Sequence, residues 1–452
     1  MKRFIFLLSF LFYRSGADAQ QTGIVSLKEL LQLAETNYPL LKSKKLDVQA
    51  AQKNIDISKN TLTPSLDASY QLNYATYNNI TGMAYPQFLI PISGPPSSSN
   101  DYGGVFGSSL GLLFNWQPIT FGQRRSHVDF ATAGLQFANA DAANEIFKHK
   151  VNVINAYLDV LTANELVKVF EENLKRNETG LSLANTLVIN GIKPGVDSAL
   201  LKTEKSKAKI ELLNSRKFRE QAIIILSQLL ASDTAVAFTD TSYFSKLPVA
   251  YNAADTAKNP LLSMYTSNIE LSNARKKTLS KTLMPTLGVW GSTYARGSGI
   301  SYNGTVKSSD GLGFQRFNYG LGVQLSVPIL QFAKIKPQKQ SQDFIIQSNE
   351  EKLNEASLQL KKQIQLADTA LKNALAIVTE TPLFYESAAY SYRAMLSRYQ
   401  SGLANFSDLI QAQYGLIKAE TENKTAYMAV WKALLYKAAL TGDLNLFLNQ
   451  LN

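Results

Sequence analysis

A stretch of about 70 residues with almost no helix breaker runs from Phe121 to Asn190, and a second of matching length runs from Phe332 to Ser401. Val151, Ile154, Leu158, Leu161 and Val169 recur at three- and four-residue spacing, the pattern of one helix face. At 1.5 Å per residue each helix would reach roughly 105 Å. Helices of that length do not fit inside a compact domain and must pair as coiled coils. Ala131, Ala133, Ala138, Ala140, Ala142 and Ala143 leave room for close helix approach. Pro382 predicts a kink in the second helix. Its counterpart in the first is Glu171, so the kink would be asymmetric.

The two helices belong to an internal repeat. Tyr38-Pro39-Leu40-Leu41 recurs as Asn259-Pro260-Leu261-Leu262, and Thr63-Pro64-Ser65-Leu66 as Met284-Pro285-Thr286-Leu287, both at an offset of 221. Further along, Phe121 matches Phe332, Gly191 matches Gly402 and Asp197 matches Asp408, at an offset of 211. The first copy therefore carries about ten extra residues, which fall in the Pro-, Ser- and Gly-rich loop Asn78 to Asp101. We divide the chain into a signal peptide (1–19), a first repeat (20–231), a connector (232–258) and a second repeat (259–452).

Each copy reads helix, strand, loop, strand, long helix, turn, helix. The first helix is expected from Ser26 to Leu62, with Ser26 and Glu29 at capping-box spacing and Pro64 closing it. Leu66, Ala68, Tyr70, Leu72 and Tyr74 then alternate with Asp67, Ser69, Gln71 and Asn73. Phe106, Leu110, Leu112, Phe114 and Trp116 share one face of a second strand. Phe317, Tyr319, Leu321, Val323, Leu325 and Val327 share a face in the second copy, where Trp290 and Tyr294 lie in the remaining strand. One apolar face opposite a Gly/Ser/Asn/Gln face suits a lipid-facing barrel wall with a wet interior. Four strands cannot close a barrel, since about eight is the small end. The barrel must be shared between chains: three chains would supply twelve strands, and two would supply eight.

Composition narrows the function. The chain has 452 residues, no Cys and two His, His127 and His149. That removes disulfides, thiolate metal sites, a Cys nucleophile and an N-terminal lipidated Cys, and leaves little His-based chemistry. No catalytic constellation and no cofactor motif is found. Lys2 and Arg3, the apolar run Phe4 to Tyr13 and Ala17-Asp18-Ala19 form a secretory signal peptide. No stretch is apolar for long enough to span a bilayer as a helix. The net charge of +11 is scattered over polar helix faces, with no aromatic-interleaved basic cluster, so nucleic acid is not a partner.

The chain resembles the TolC-like outer membrane efflux proteins over nearly its whole mature length. The likeness rests on the tandem copies, on Pro64, Pro118, Pro285 and Pro328 at strand–helix junctions, and on two turns. These run from Asn190-Gly191 to Asp197 and from Ser401-Gly402 to Asp408, each with glycine six residues before aspartate. The resemblance implies a homotrimer in the outer membrane, with a twelve-strand β-barrel continuing into a long α-helical coiled-coil tunnel in the periplasm. The connector would belong to a girdle around the tunnel. The protein would be an exit duct for efflux or secretion, no enzyme, working with a periplasmic adaptor and an inner membrane pump of RND or ABC type. The resemblance further places a selectivity ring at Asp408, with Gln411 where a second carboxylate is expected. It pairs a gate tyrosine, Tyr399, with Asp197, puts Ala404 where a gate arginine is expected, and offers the tips at Gly191 and Gly402 for adaptor docking. The competing reading is a structural coiled-coil envelope protein without a pore, which would leave the alternating strands without a role.

Overall fold

The computed structural model describes residues 26–78, 98–192, 194–232, 240–249 and 259–450. The signal peptide 1–19, most of the loop Asn78 to Asp101, and much of the connector 232–258 lie outside the described residues. The helices are α1 (Leu27–Asn37), α2 (Pro39–Asn60), α3 (Gln123–Ile189), α4 (Gly195–Leu230), α5 (Pro260–Lys281), α6 (Gln331–Gln400), α7 (Phe406–Thr441) and the short α8 (Asn445–Leu448). The strands are β1 (Ser65–Ala75), β2 (Val105–Ile119), β3 (Thr286–Ser298) and β4 (Arg316–Ser326). Among the described residues no helix is long and apolar enough to cross a membrane. Shifted by 221, the bounds of α2 fall on those of α5; shifted by 211, those of α4 fall on those of α7.

Two local details depart from the sequence reading, and a third concerns Pro382. The first helix is two, because Tyr38 takes extended backbone (φ −64°, ψ 124°) ahead of Pro39. A proline disfavours helical backbone in the residue before it. The capping box stands: Ser26 Oγ accepts from Glu29 N–H, and Glu29 Oε2 accepts from Ser26 N–H at 2.8 Å. The long helix of the first copy begins at Gln123 rather than Phe121, since Phe121 and Gly122 both take positive φ. In the second copy Phe332 is already helical. Finally, α6 runs helical through Pro382. That proline has no N–H for the carbonyl of Val378. Thr381 Oγ1 lies 3.3 Å from this carbonyl and 3.1 Å from Asn423 Oδ1.

The chain forms two compact units. One draws on Asp47–Asn139 and Tyr265–Lys352 and holds the sheet. Its four strands pair antiparallel in the order β1-β2-β3-β4. The register aligns the apolar residues into rungs on a single face: Leu66, Phe114, Gly291 and Leu321; Ala68, Leu112, Thr293 and Tyr319; Tyr70, Leu110, Ala295 and Phe317. Trp290 and Tyr294 fall on the opposite, polar face, with Asn115, Gly111 and Asn318. The Trp290 indole lies across the backbone of β4, where a Cβ on Gly322 would come within 2.7 Å of the ring. Glycine at 322 is therefore a steric requirement of that tryptophan. β1 and β4 each pair on one side only, and β1 is exposed along its whole length.

The other unit draws on Met1–Leu46, Ala140–Met264 and Leu353–Asn452. Its core joins Leu30, Leu31 and Ala34 of α1 to Val153, Ile154, Tyr157, Leu158 and Leu161 of α3 and to Trp431, Leu434 and Leu435 of α7. Ile154, Leu158 and Leu161 come from the helical stripe the sequence predicts. His149 is a packing residue here. It stacks on Tyr38 with ring centroids 4.0 Å apart, its Nε2 lies 3.0 Å from the Leu229 carbonyl, and burial pushes its pKa down.

Glu165 is a buried acid of this unit. Its side chain is 9% exposed and bridges Lys168 at 2.5 Å and Lys424 at 2.8 Å. Burial alone would raise its pKa, but the two ammonium groups outweigh burial and hold it below the ordinary glutamate range. A carboxylate depressed in this way stabilises the fold above its unfolded value, and the contribution is lost as pH falls through the folded one. The melting temperature is thus expected to drop on acidification below about pH 4.5, and less steeply in Glu165→Gln. Circular dichroism melts of both proteins across that range check it.

Candidate functional site

The two helix–helix turns are built by one device. Gly191 (φ +72°) follows α3; its N–H donates to the Val188 carbonyl at 3.0 Å, and that of Ile192 donates to the Leu187 carbonyl at 2.9 Å. Gly402 (φ +77°) follows α6; its N–H donates to Tyr399 O at 3.1 Å, and that of Leu403 donates to Arg398 O at 2.8 Å. These are the paired bonds of a Schellman turn, and left-handed backbone at the closing residue favours glycine. No other atom lies near a Cβ at either glycine, so backbone conformation alone accounts for the choice.

The turns place their aspartates at matching points, in the first turns of α4 and α7, but in different surroundings. Asp197 is buried, and Tyr399, fully enclosed, donates its hydroxyl to Asp197 Oδ2 at 3.0 Å. Burial and then this bond push the Tyr399 pKa well above the tyrosine range. Leu187 and Leu409 pack around the tyrosine, joined by Leu396, Ala404 and Phe406. Ala404, where the family resemblance leads one to expect an arginine, fills an apolar contact.

Asp408 is exposed. Its N–H is capped by Asn405 Oδ1 at 2.8 Å, whereas α4 has Pro194 at that place and no side-chain cap. The residue matching Tyr399 in the first copy is Val188, which has no donor to offer. That is why one aspartate is tied and its twin is free to face solvent. Gln411 is exposed one helical turn beyond Asp408, on the same side of α7.

Sequence reasoning missed a polar layer farther along the same helices. Arg176 of α3 grips Glu420 of α7 with two bonds, Nη1 at 3.0 Å and Nη2 at 2.7 Å. Gln413 Nε2 donates to Asn173 Oδ1 at 3.1 Å. Tyr414 donates to Glu204 at 2.6 Å and accepts from Lys207 at 2.8 Å, linking α7 to α4. These partners stand some 200 residues or more apart in the chain, and nothing in local spacing announces them.

The family model of outer membrane efflux proteins matches residues 30–232, close to the whole first repeat. Over that part the chain is similar to the outer membrane efflux proteins. Solved structures share the fold. The outer membrane protein VceC of Vibrio cholerae superposes with a TM-score of 0.72 at 14% identity, covering 92% of this chain and 96% of its own. The CmeC outer membrane channel of Campylobacter jejuni gives 0.71 at 14% identity, covering 92% of this chain and 85% of its own. The open-state MtrE outer membrane channel of Neisseria gonorrhoeae gives 0.71 at 17% identity, covering 92% and 89%. No curated protein sequence matches the chain. The match to the efflux family model and the fold shared with these channels support an exit duct of the outer membrane, and the four-stranded sheet and long helices are part of that shared fold.

Proposed function

We propose that three copies of this chain close a twelve-strand barrel among outer membrane lipids. Cargo then leaves through it from a periplasmic adaptor and an inner membrane pump of RND or ABC type. The carrying observation is the open sheet, apolar on one face and polar on the other, with β1 and β4 unpaired at its two edges. In hydrocarbon an unpaired edge costs several kcal/mol per backbone group, and a neighbouring chain's strand removes that cost. The duct needs no catalysis and no cofactor of its own.

The turns are the periplasmic gate in this reading. Asp408 contributes one carboxylate per chain to a ring whose next position, Gln411, is neutral, so cation preference is weak. Tyr399 and Asp197 latch the two turns together, and the tips at Gly191 and Gly402 meet the adaptor. Single-channel recording in planar bilayers tests this with wild type and Asp408→Ala. A small cation-preferring current that loses its preference in the variant is expected. A current whose selectivity ignores the change would remove Asp408 from the constriction. No current from folded trimer would favour a structural envelope protein without a pore.

A further inference from the structure

The polar face of the sheet carries one rung that stands apart in charge. Pairing register sets Gln71, Ser109, Arg296 and Arg316 side by side across β1, β2, β3 and β4. Like charges directly opposite on neighbouring strands are destabilising. Among the described residues no acidic side chain forms an ion pair with either arginine; the arginine ion pairs there are those of Arg176, Arg216 and Arg219. Arg316 Nη1 donates only to the neighbouring Gln315 carbonyl at 3.0 Å, and the Arg296 guanidinium lies 5.4 Å from the Tyr294 ring centroid. Asp310, close by in sequence, is taken by Lys307 at 3.0 Å. Asp67 shares the polar face but sits two rungs away, beside Leu113, Ser292 and Gly320.

The rung is also held in place. Gln315 N–H donates to the Arg296 carbonyl at 2.8 Å, and its side-chain amide donates to the carbonyls of Ser298 and Asp310. The loop between β3 and β4 folds back so tightly that a Cβ on Gly311 would lie 1.6 Å from the Phe106 carbonyl oxygen, and one on Gly297 1.7 Å from that of Gly313. Both arginines lie at the hairpin end of the sheet, away from the ends where β3 follows α5 and β4 leads into α6.

We propose that Arg296 and Arg316 form an oxyanion-binding ring inside the outer mouth of the duct, six guanidinium groups in a trimer. The inference rests on the duct reading, which puts the polar face toward the lumen. Guanidinium forks match the paired oxygens of phosphates and carboxylates, and a low-dielectric wall concentrates their field. The ring draws multivalent oxyanions to the hairpin end of the sheet.

The test is block of single-channel current by tripolyphosphate, added to either side of a bilayer holding the full-length trimer. Wild type is expected to be blocked from the outer side at lower concentration than from the other. In Arg296→Gln/Arg316→Gln the half-blocking concentration should rise roughly tenfold or more, and Arg296→Lys/Arg316→Lys should retain part of the block. Heat-modifiable migration confirms that each variant is a trimer, and if the double variant fails there, Arg296→Gln alone should give an intermediate rise. Current through wild type with no block, or with the same block in the glutamine variant, would overturn the ring and leave the duct standing. A folded wild-type trimer that passes no current would remove the duct and the ring together.

Discussion

Tyr399→Phe is expected to raise the open fraction of the reconstituted protein roughly tenfold, since about 1.4 kcal/mol corresponds to a factor of ten. The hydroxyl reaches Asp197 Oδ2 at 3.0 Å in surroundings that enclose the tyrosine fully and leave the aspartate 8% exposed. Removing one partner of such a bond leaves a buried carboxylate without its donor, at a cost of about 1–3 kcal/mol, more than the bond itself contributes. The cost falls on the arrangement that contains the bond, the latched turns, and not on one in which they have parted. Adding Asp197→Ala to the variant removes the stranded charge as well. The double change should therefore stabilise the latched state relative to Asp197→Ala and Tyr399→Phe taken additively. Mean conductance and open probability in bilayers measure both. The raised pKa of Tyr399 adds a sign: the bond persists below the ordinary tyrosine value and is lost only as pH climbs through the higher folded value. Conductance should be flat from neutral to mildly alkaline pH. An unchanged open probability in Tyr399→Phe would mean that the pair packs the turn without latching it.

Trp431→Ala is expected to carry the largest stability cost, about 3–5 kcal/mol. The indole is fully buried in α7, with ring centroids 5.1 Å from Tyr243 and 5.9 Å from Phe447. Its Nε1 donates to the Tyr243 carbonyl at 3.0 Å. One side chain thereby fastens both the short turn Ser242–Phe244 and α8 to a long helix. Truncation opens a cavity and strands a carbonyl. Trp431→Phe should cost less, since it keeps an aromatic ring in the core and loses mainly the hydrogen bond, about 1 kcal/mol. Thermal unfolding in detergent separates the two variants. A loss under about 1 kcal/mol for alanine would show that the turn and α8 are held by other contacts.

The elements were legible because their signals are local. Side-chain direction repeats every two residues in a strand and every 3.6 in a helix, so spacing alone marks β1, β2, α3 and α6. The break at Tyr38 was also written in the sequence, in Pro39, but a helical stripe continuing on both sides outweighed it. The sequence pattern puts the start of α3 two residues early, because positive φ at Phe121 has no sequence signature in a non-glycine residue. In the turns, glycine six residues before aspartate marked the geometry twice, yet the pattern could not tell the tied Asp197 from the exposed Asp408.

That distinction required the fold, as did every pairing between distant residues. Tyr399 and Asp197 are 202 positions apart, and Arg176 and Glu420 are 244 apart. Whether Trp290 faces apolar or polar surroundings depends on strand register, and so does the meeting of Arg296 with Arg316. Sequence by itself determined the repeat, the helix lengths, the alternation of the strands and the absence of cysteine chemistry, all properties of composition or short-range backbone geometry. Only the tertiary structure decided which residues became partners, because contact between remote segments depends on register and packing, and neither is encoded in the spacing of any one segment.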